Sequence, residues 1–136
     1  MKLLFKPSAT LEQRKFIRSY CNPFETSNLM VVLTDDFTFK PASNAKYRSF
    51  QHSKLGVFRH WKQKDGKGFL HYCYGFREIS LPVIVINCNL PNWKSTFLHE
   101  FGHYIDFKTN PDFYTTSSKQ KEKFARQYSR LAIEKI

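Results

Sequence analysis

The segment from residue 95 to residue 106 constrains the fold of this chain more than any other part of the sequence. Apolar or weakly polar side chains occupy half of its twelve positions: Thr96, Phe97, Leu98, Phe101, Tyr104 and Ile105. A narrow polar stripe interrupts them with His99, Glu100 and His103, three groups whose burial is costly unless they serve a purpose. The pattern therefore predicts a helix that is enclosed by the rest of the protein and keeps one face for polar chemistry.

The polar stripe is a complete His-Glu-x-x-His motif. Histidines four residues apart lie on the same face of a helix, so the imidazoles of His99 and His103 can bind one metal ion. Glu100 falls beside that ion, where a carboxylate can take a proton from a zinc-activated water and later pass it to a leaving amine. The spacing predicts two zinc ligands and one general base.

A catalytic zinc site needs a third protein ligand, and the three nearest acidic residues downstream are the candidates. Asp106 follows His103 by three residues on the same helix, where it is better placed to accept a hydrogen bond from a ligand histidine than to bind the metal. Asp112 is the other nearby acid. Glu122 is the better ligand, because the small Ala125 lets its helix approach the motif closely. The alternative is that Glu122 is a solvated charge among the neighbouring lysines.

The residues of the motif resemble a known family. Residues 99–106 read His-Glu-Phe-Gly-His-Tyr-Ile-Asp, and residues 122–125 read Glu-Lys-Phe-Ala. These two stretches are similar to the catalytic domain of anthrax lethal factor and its relatives, zinc metallopeptidases of the gluzincin type. The pattern of that family is His-Glu-x-x-His-x-x-Asp followed by Glu-x-Phe-Ala, and the likeness extends over residues 83–130.

The resemblance implies a role for each residue of the site. One zinc ion per chain is expected on His99, His103 and Glu122, with Glu100 as the general base. A tyrosine just ahead of the third-ligand helix helps to stabilise the oxyanion in these enzymes, and Tyr114 has that position here. Two other tyrosines compete for this role, and either is equally well explained as a core aromatic with a bonded hydroxyl: Tyr104 and Tyr128.

The resemblance also implies the fold class, a small single-domain α+β zincin-like fold. In that fold a twisted sheet covers the buried active-site helix, and an edge strand holds the substrate backbone as an added strand. We predict that residues 83–87 form this edge, since Pro82 places the strand at an edge or limits it to a start. With 136 residues, the chain is expected to form one domain over residues 1–136.

Local signals predict the remaining elements. Thr10 and Gln13 form a capping box, which predicts a helix over residues 10–21. The Asp65-Gly66 pair predicts a tight hairpin turn whose arms are the two flanking stretches. The further expected elements are hairpin arms at 57–63 and 68–76, strands at 29–34 and 81–87, a continuation at 37–40, and helices at 93–107 and 118–133.

The charge of the chain is strongly positive and unevenly distributed. Twenty-two lysine and arginine residues stand against 11 aspartate and glutamate residues, for a formal net charge of +11. Residues 37–77 carry nine of the basic side chains and one acidic side chain. Such a segment attracts nucleic acid or an acidic protein partner with salt-dependent affinity. The alternative is a solvated basic face that keeps a small protein in solution.

Other features of the sequence bear on its compartment. No run approaches the roughly 18 apolar residues that a membrane span requires, and the apolar run at the start is too short for a signal peptide. The three cysteines are odd in number and contain no close pair, which is typical of free thiols in a reducing compartment. We therefore expect a cytoplasmic protein with no membrane association. The cysteines are Cys21, Cys73 and Cys88.

Two classes of function fit these observations. The first is an intracellular zinc-dependent endopeptidase that hydrolyses peptide bonds of a specific protein substrate. The second is a catalytically silent zincin-like module that binds nucleic acid or an acidic protein through its basic face. The first is our prediction, since it gives the buried polar stripe a purpose.

Overall fold

A computed structural model describes the protein at residues 2–5, 9–27, 29–34, 38–41, 48–49, 56–59, 71–74, 77–80, 82–113 and 115–136. Over these residues the chain has an α+β architecture with three helices and two four-stranded sheets. None of the three helices has the length and apolar content to cross a membrane. The helices are α1 (Leu11–Cys21), α2 (Trp93–Thr109) and α3 (Ser118–Glu134).

The first sheet is mixed, with the strand order β1-β2-β8-β5. β1, β2 and β8 run parallel, and β5 pairs antiparallel with β8 through Val57 opposite Val85. The strands of the two sheets are β1 (Lys2–Phe5), β2 (Met30–Thr34), β3 (Thr38–Pro41), β4 (Arg48–Ser49), β5 (Gly56–Arg59), β6 (His71–Tyr74), β7 (Arg77–Ser80) and β8 (Val83–Asn87).

The prediction that residues 83–87 form an edge strand is wrong. β8 lies between β2 and β5, and four of its five residues are buried, as expected of an interior strand with both faces covered. Pro82 stands just before the strand, where its missing N–H does not interrupt the ladder, and its carbonyl accepts from Met30 N–H at 3.1 Å. Among the described strands, β5 is the edge beside β8.

The second sheet is antiparallel, with the order β4-β3-β6-β7. Its pairing shows that two predictions are wrong: the continuation of β2 at residues 37–40 and the pairing of the two hairpin arms. Residues 38–41 form β3 in this sheet and do not extend β2. The hairpin arms do not pair with each other over their described parts, because β6 has β3 and β7 on its two sides while β5 joins β8. The Asp65-Gly66 turn lies outside the described residues. β1, β4 and β7 were not predicted; β4 lies at residues 48–49, where the sequence pattern is ambiguous and offers a short helix.

The predicted helices are confirmed to within two residues at each end. The capping box of α1 is present, with Thr10 Oγ1 accepting from Gln13 N–H and Gln13 Oε1 accepting from Thr10 N–H. Gln13 is also buried, and its Nε2 donates to the carbonyl of Cys88 at 2.8 Å. One side chain therefore caps α1 and ties it to the chain that leaves β8.

α2 is enclosed as its sequence predicts. Four of its side chains have no exposed surface: Phe97, Leu98, Phe101 and Tyr104. Phe101 packs edge-on against Tyr20 of α1, with ring centroids 5.4 Å apart. Each buried side chain of this size stabilises the fold by about 1.5–3 kcal/mol. The buried faces of β2 and β8 complete this core, so the sheet and α1 fix the position of α2.

α2 and α3 lie close together at Gly102. A Cβ atom at this position would lie 3.1 Å from Tyr128 Cβ and 3.2 Å from Ala125 Cα, closer than ordinary van der Waals contact. Ala125 is completely buried, which confirms that a small residue allows the approach. The Tyr128 hydroxyl shares a hydrogen bond of 2.6 Å with the Tyr20 hydroxyl, so α3 is held to α1 as well.

Substitution of Gly102 by Ala tests this contact. The added methyl group must displace a backbone carbon and a Cβ, and such overpacking costs about 1–3 kcal/mol, more than the ~1 kcal/mol that alanine gains in helix propensity. We expect Gly102→Ala to lower the free energy of unfolding in urea, whereas Ser95→Ala on the same helix changes it by less than about 0.5 kcal/mol. A Gly102→Ala protein as stable as the parent would contradict the close packing.

The buried tyrosine and cysteine groups predict loss of stability in alkali. Burial raises the pKa of Cys21 from 9.0 to about 12 and that of Tyr104 from 10.0 to about 12, and it also raises the pKa of Tyr20 and Tyr128. The unfolded chain therefore releases protons first, and the free energy of unfolding falls as the pH rises from about 9 towards 12.

Urea denaturation at several pH values measures this fall. We expect Tyr104→Phe to show a shallower decline than the parent above about pH 10, since it has one buried phenol fewer. A stability that stays constant from pH 8 to about pH 11 would show that these groups are not buried in the folded protein.

Candidate metal centre

α2 places the two histidines of the motif on one face. His99 and His103 lie one helical turn apart, with ring centroids 4.9 Å apart and ring planes at 83°. Their side chains are 24% and 13% exposed, so both rings reach a surface that remains open to solvent. The predicted presentation of two imidazoles from one helix face is present.

α3 brings the third residue to this pair. Glu122 Oε1 lies 2.9 Å from His103 Nε2, and Glu122 Oε2 lies 3.1 Å from His99 Nε2. One carboxylate thus faces both rings with a different oxygen for each. The possible ligand atoms of the three residues all lie within 4.8 Å of one another, so the group could hold a metal ion.

The contact between α2 and α3 at Gly102 determines how close Glu122 lies to the two histidines. Gly102 immediately precedes His103 on α2, and Ala125 follows Glu122 by three residues on α3. The contact between Gly102 and Ala125 is therefore within one helical turn of His103 on α2 and of Glu122 on α3. A wider separation of the helices would move the carboxylate away from the imidazoles.

Burial controls the charge of His103. Loss of solvent lowers the pKa of His103, the neighbouring His99 lowers it further, and the carboxylates of Glu122 and Asp106 oppose the shift without reversing it. A lowered pKa keeps the imidazole neutral near pH 7, and the neutral ring is the form that binds metal ions. A metal ion can therefore bind His103 near pH 7 without first displacing a proton from its ring.

The other predicted acids occupy different positions. Glu100 is partly buried on α2, directly after His99. Asp106 is 5% exposed and acts on His103 through its charge; a hydrogen bond from a ligand histidine to Asp106 stays a prediction. Asp112 is exposed in the turn before α3. Of the three candidate third ligands, Glu122 is the one that lies against the histidines.

The candidate tyrosines separate into two groups. Tyr114 lies outside the described residues. Tyr104 is completely buried, and its hydroxyl donates to the carbonyl of Glu25 at 3.4 Å. Tyr128 is hydrogen-bonded to Tyr20. Both described tyrosines are therefore core aromatics with bonded hydroxyls, as the alternative interpretation predicts.

Two further predictions concern residues away from the cluster. Cys21 and Cys88 are free and buried, as predicted, and the raised pKa of Cys21 makes it a poor nucleophile. The basic segment at residues 37–77 is described over parts of five strands, and its side chains lie outside the described residues. Binding of nucleic acid or an acidic protein through that segment stays a prediction.

Sequence reasoning missed two features that position the site. The first is Gly102, whose signal was a glycine inside an otherwise apolar helix, a position that commonly marks close backbone approach. The second is β5, which packs against α2 together with β8 and forms the edge of the first sheet there. The pairing of β5 joins residues about 28 positions apart, so no local pattern predicts it.

Comparisons of this chain with protein-family models, with curated protein sequences and with solved structures find no match. The site is therefore interpreted from its own geometry. Two imidazoles on one helix and one carboxylate on the helix packed against it form a cluster that could hold a metal ion.

Proposed function

We propose that this chain is a zinc-dependent endopeptidase with a zincin-like fold that hydrolyses peptide bonds of a protein substrate. The observation that carries the proposal is the convergence of His99, His103 and Glu122 within 4.8 Å, with Glu100 directly after the first histidine. A cluster of three ligands leaves room for a fourth, exchangeable position, which a catalytic metal needs and a structural metal does not.

The donor set fits zinc. Two imidazole nitrogens and one carboxylate oxygen are a known ligand combination of catalytic zinc sites. The possible ligand atoms of the three residues lie within 4.8 Å of one another, so one zinc ion could contact all three side chains. Zinc supplies a Lewis acid that polarises a carbonyl and lowers the pKa of water.

The protein residues supply the remaining chemistry. Glu100 accepts a proton from the attacking water and returns it to the nitrogen of the departing peptide. Asp106 acts on His103 through its charge. A hydrogen bond from Nδ1 of His103 to Asp106 would keep Nε2, the nitrogen that would bind zinc, towards Glu122. The proposed hydrogen-bond donor to the oxyanion of the reaction intermediate is Tyr114 or a backbone N–H. The hydroxyls of Tyr104 and Tyr128 are already bonded within the core.

β5 is the proposed binding strand for the substrate backbone. Among the described strands it forms the edge of the first sheet that lies beside β8, opposite the edge formed by β1. It packs against α2, the helix that carries the motif. An extended peptide that pairs with such an edge gains main-chain hydrogen bonds regardless of its sequence. This assignment replaces the earlier expectation for residues 83–87, whose two sides are already paired.

Metal content is the first test. Elemental analysis after zinc loading and dialysis against a weak chelator is expected to give one zinc ion per chain. Glu122→Ala removes one of three ligands and is expected to weaken zinc binding by more than about 100-fold. The matched control is Glu134→Ala, an exposed glutamate on the same helix, which keeps its zinc. A parent protein without zinc after loading, or with a different metal, would contradict the proposal.

Activity is the second test, with Glu100→Gln as the decisive variant. The amide cannot take the proton, so we expect the cleavage rate of a proteome-derived peptide library to fall by about 10²–10⁴-fold while zinc content stays unchanged. Glu12→Gln on α1 is the control and keeps its activity. New peptide termini identified by mass spectrometry measure the reaction.

Two outcomes would contradict this expectation. If Glu100→Gln cleaves as fast as the parent, Glu100 is not the base. If neither protein cleaves, the silent binding module is favoured.

A further inference from the structure

A row of four cations runs along the exposed side of α3. Its members are spaced four, three and four residues apart, so the row lies on one face of the helix and extends about 17 Å. All four side chains are exposed, and together with Gln127 they line a shallow groove of about 520 Å³. We call these residues the basic row: Lys119, Lys123, Arg126 and Arg130.

The basic row has no ionic partner in the described part of the chain. Ion pairs in that part of the chain include Lys94 with Glu12 and Glu122 with the two histidines. Another lysine of α3, Lys121, lies over the ring of Phe113 at 4.2 Å and points away from the row. Four aligned positive charges that form no ion pair among the described residues repel one another, and carboxylates or phosphates that bind beside them reduce this repulsion.

The basic row lies beside the metal cluster. At 3.6 residues per turn, its four side chains cover about 60° of the helix circumference, and Glu122 is about 40° from its nearest member, Arg126. Lys119 is about one turn before Glu122, and Arg126 is about one turn after it. A peptide that crosses the two histidines and Glu122 and runs along α3 would lie beside this row.

We propose that the basic row is a substrate-docking site that selects an extended acidic segment next to the scissile bond. The inference rests on the proposed function, because it names the substrate class of that same site. The long aliphatic stems of lysine and arginine line the groove, and their charged ends can follow carboxylates on either side of it. Docking there would give cleavage a preference for substrates rich in Asp and Glu.

The lining of the groove, which includes no aromatic residue, favours a peptide over nucleic acid as the occupant. Surfaces that bind single strands combine cations with aromatic rings on which bases stack, and the basic row contains no aromatic side chain. Successive row members are about 4.5–6 Å apart along the helix, similar to the ~6.7 Å between side chains on one face of an extended peptide. An acidic segment with carboxylates at alternate positions thus matches the row.

Binding can be measured without cleavage. The zinc-loaded Glu100→Gln protein is titrated against a fluorescein-labelled decapeptide of alternating Glu and Ala, with the Gln-Ala decapeptide as the neutral probe. We expect the acidic probe to bind at least ~10-fold more tightly, and to lose affinity as salt rises. The double variant Lys119→Gln/Lys123→Gln is expected to weaken acidic-probe binding by roughly tenfold.

The matched control is Lys15→Gln/Lys135→Gln, which removes the same net charge from two exposed positions outside the row. Equal loss in both double variants, or equal binding of the two probes, would overturn the proposal. Circular dichroism and zinc content check that the row variant is folded. Tighter binding of a single-stranded 12-mer DNA than of the acidic probe, lost in the row variant, would overturn the peptide as occupant.

Cleavage kinetics separate this inference from the proposed function. If the parent cleaves acidic and neutral peptides with equal kcat/KM, the docking site is wrong and the peptidase stands. If the acidic probe binds the row but the parent cleaves nothing, the peptidase is wrong and the row binds a partner, not a substrate. We expect the row variant to lower kcat/KM for acidic peptides by roughly tenfold and to leave neutral peptides unchanged.

Discussion

The close contact between α2 and α3 at Gly102 is the interaction on which the candidate site depends. A Cβ at Gly102 would lie 3.2 Å from Ala125 Cα, closer than ordinary van der Waals contact, so the two helices lie close together at this point. His103 and Glu122 are each within one turn of that contact. The packing of two small residues thus brings together the imidazole and carboxylate atoms at 2.9 and 3.1 Å.

The other polar groups near α2 hold the helices and the sheet together. Gln13 joins α1 to the chain after β8, the Tyr20–Tyr128 hydrogen bond joins α1 to α3, and the carbonyl of Glu25 accepts from the hydroxyl of Tyr104. Each bond satisfies a group that would be costly to bury alone. The histidine pair is different, because its partner is a partly exposed carboxylate at the protein surface, where a ligand can enter.

Local patterns predicted the helices and the three cluster residues, but not the strand partners. The Thr10–Gln13 box and the four-residue histidine spacing each depend on one turn of helix, which the sequence alone defines. An apolar run such as residues 83–87 indicates a buried strand without indicating its neighbours. β8 became interior because β2 and β5, from distant parts of the chain, pair on its two sides. That choice depends on the whole sheet.

α3 combines two tasks that its opposite faces keep separate. Its buried face, with Ala125 and Ala132, determines how near Glu122 comes to the histidines. Its exposed face carries the basic row, and substitutions of such exposed side chains usually change stability little. If the proposed function is right, substrate preference can vary through exposed charges while the positions of the two histidines and Glu122 stay constant. A short chain with one core gains from this division, because it has few elements on which to build a second binding surface.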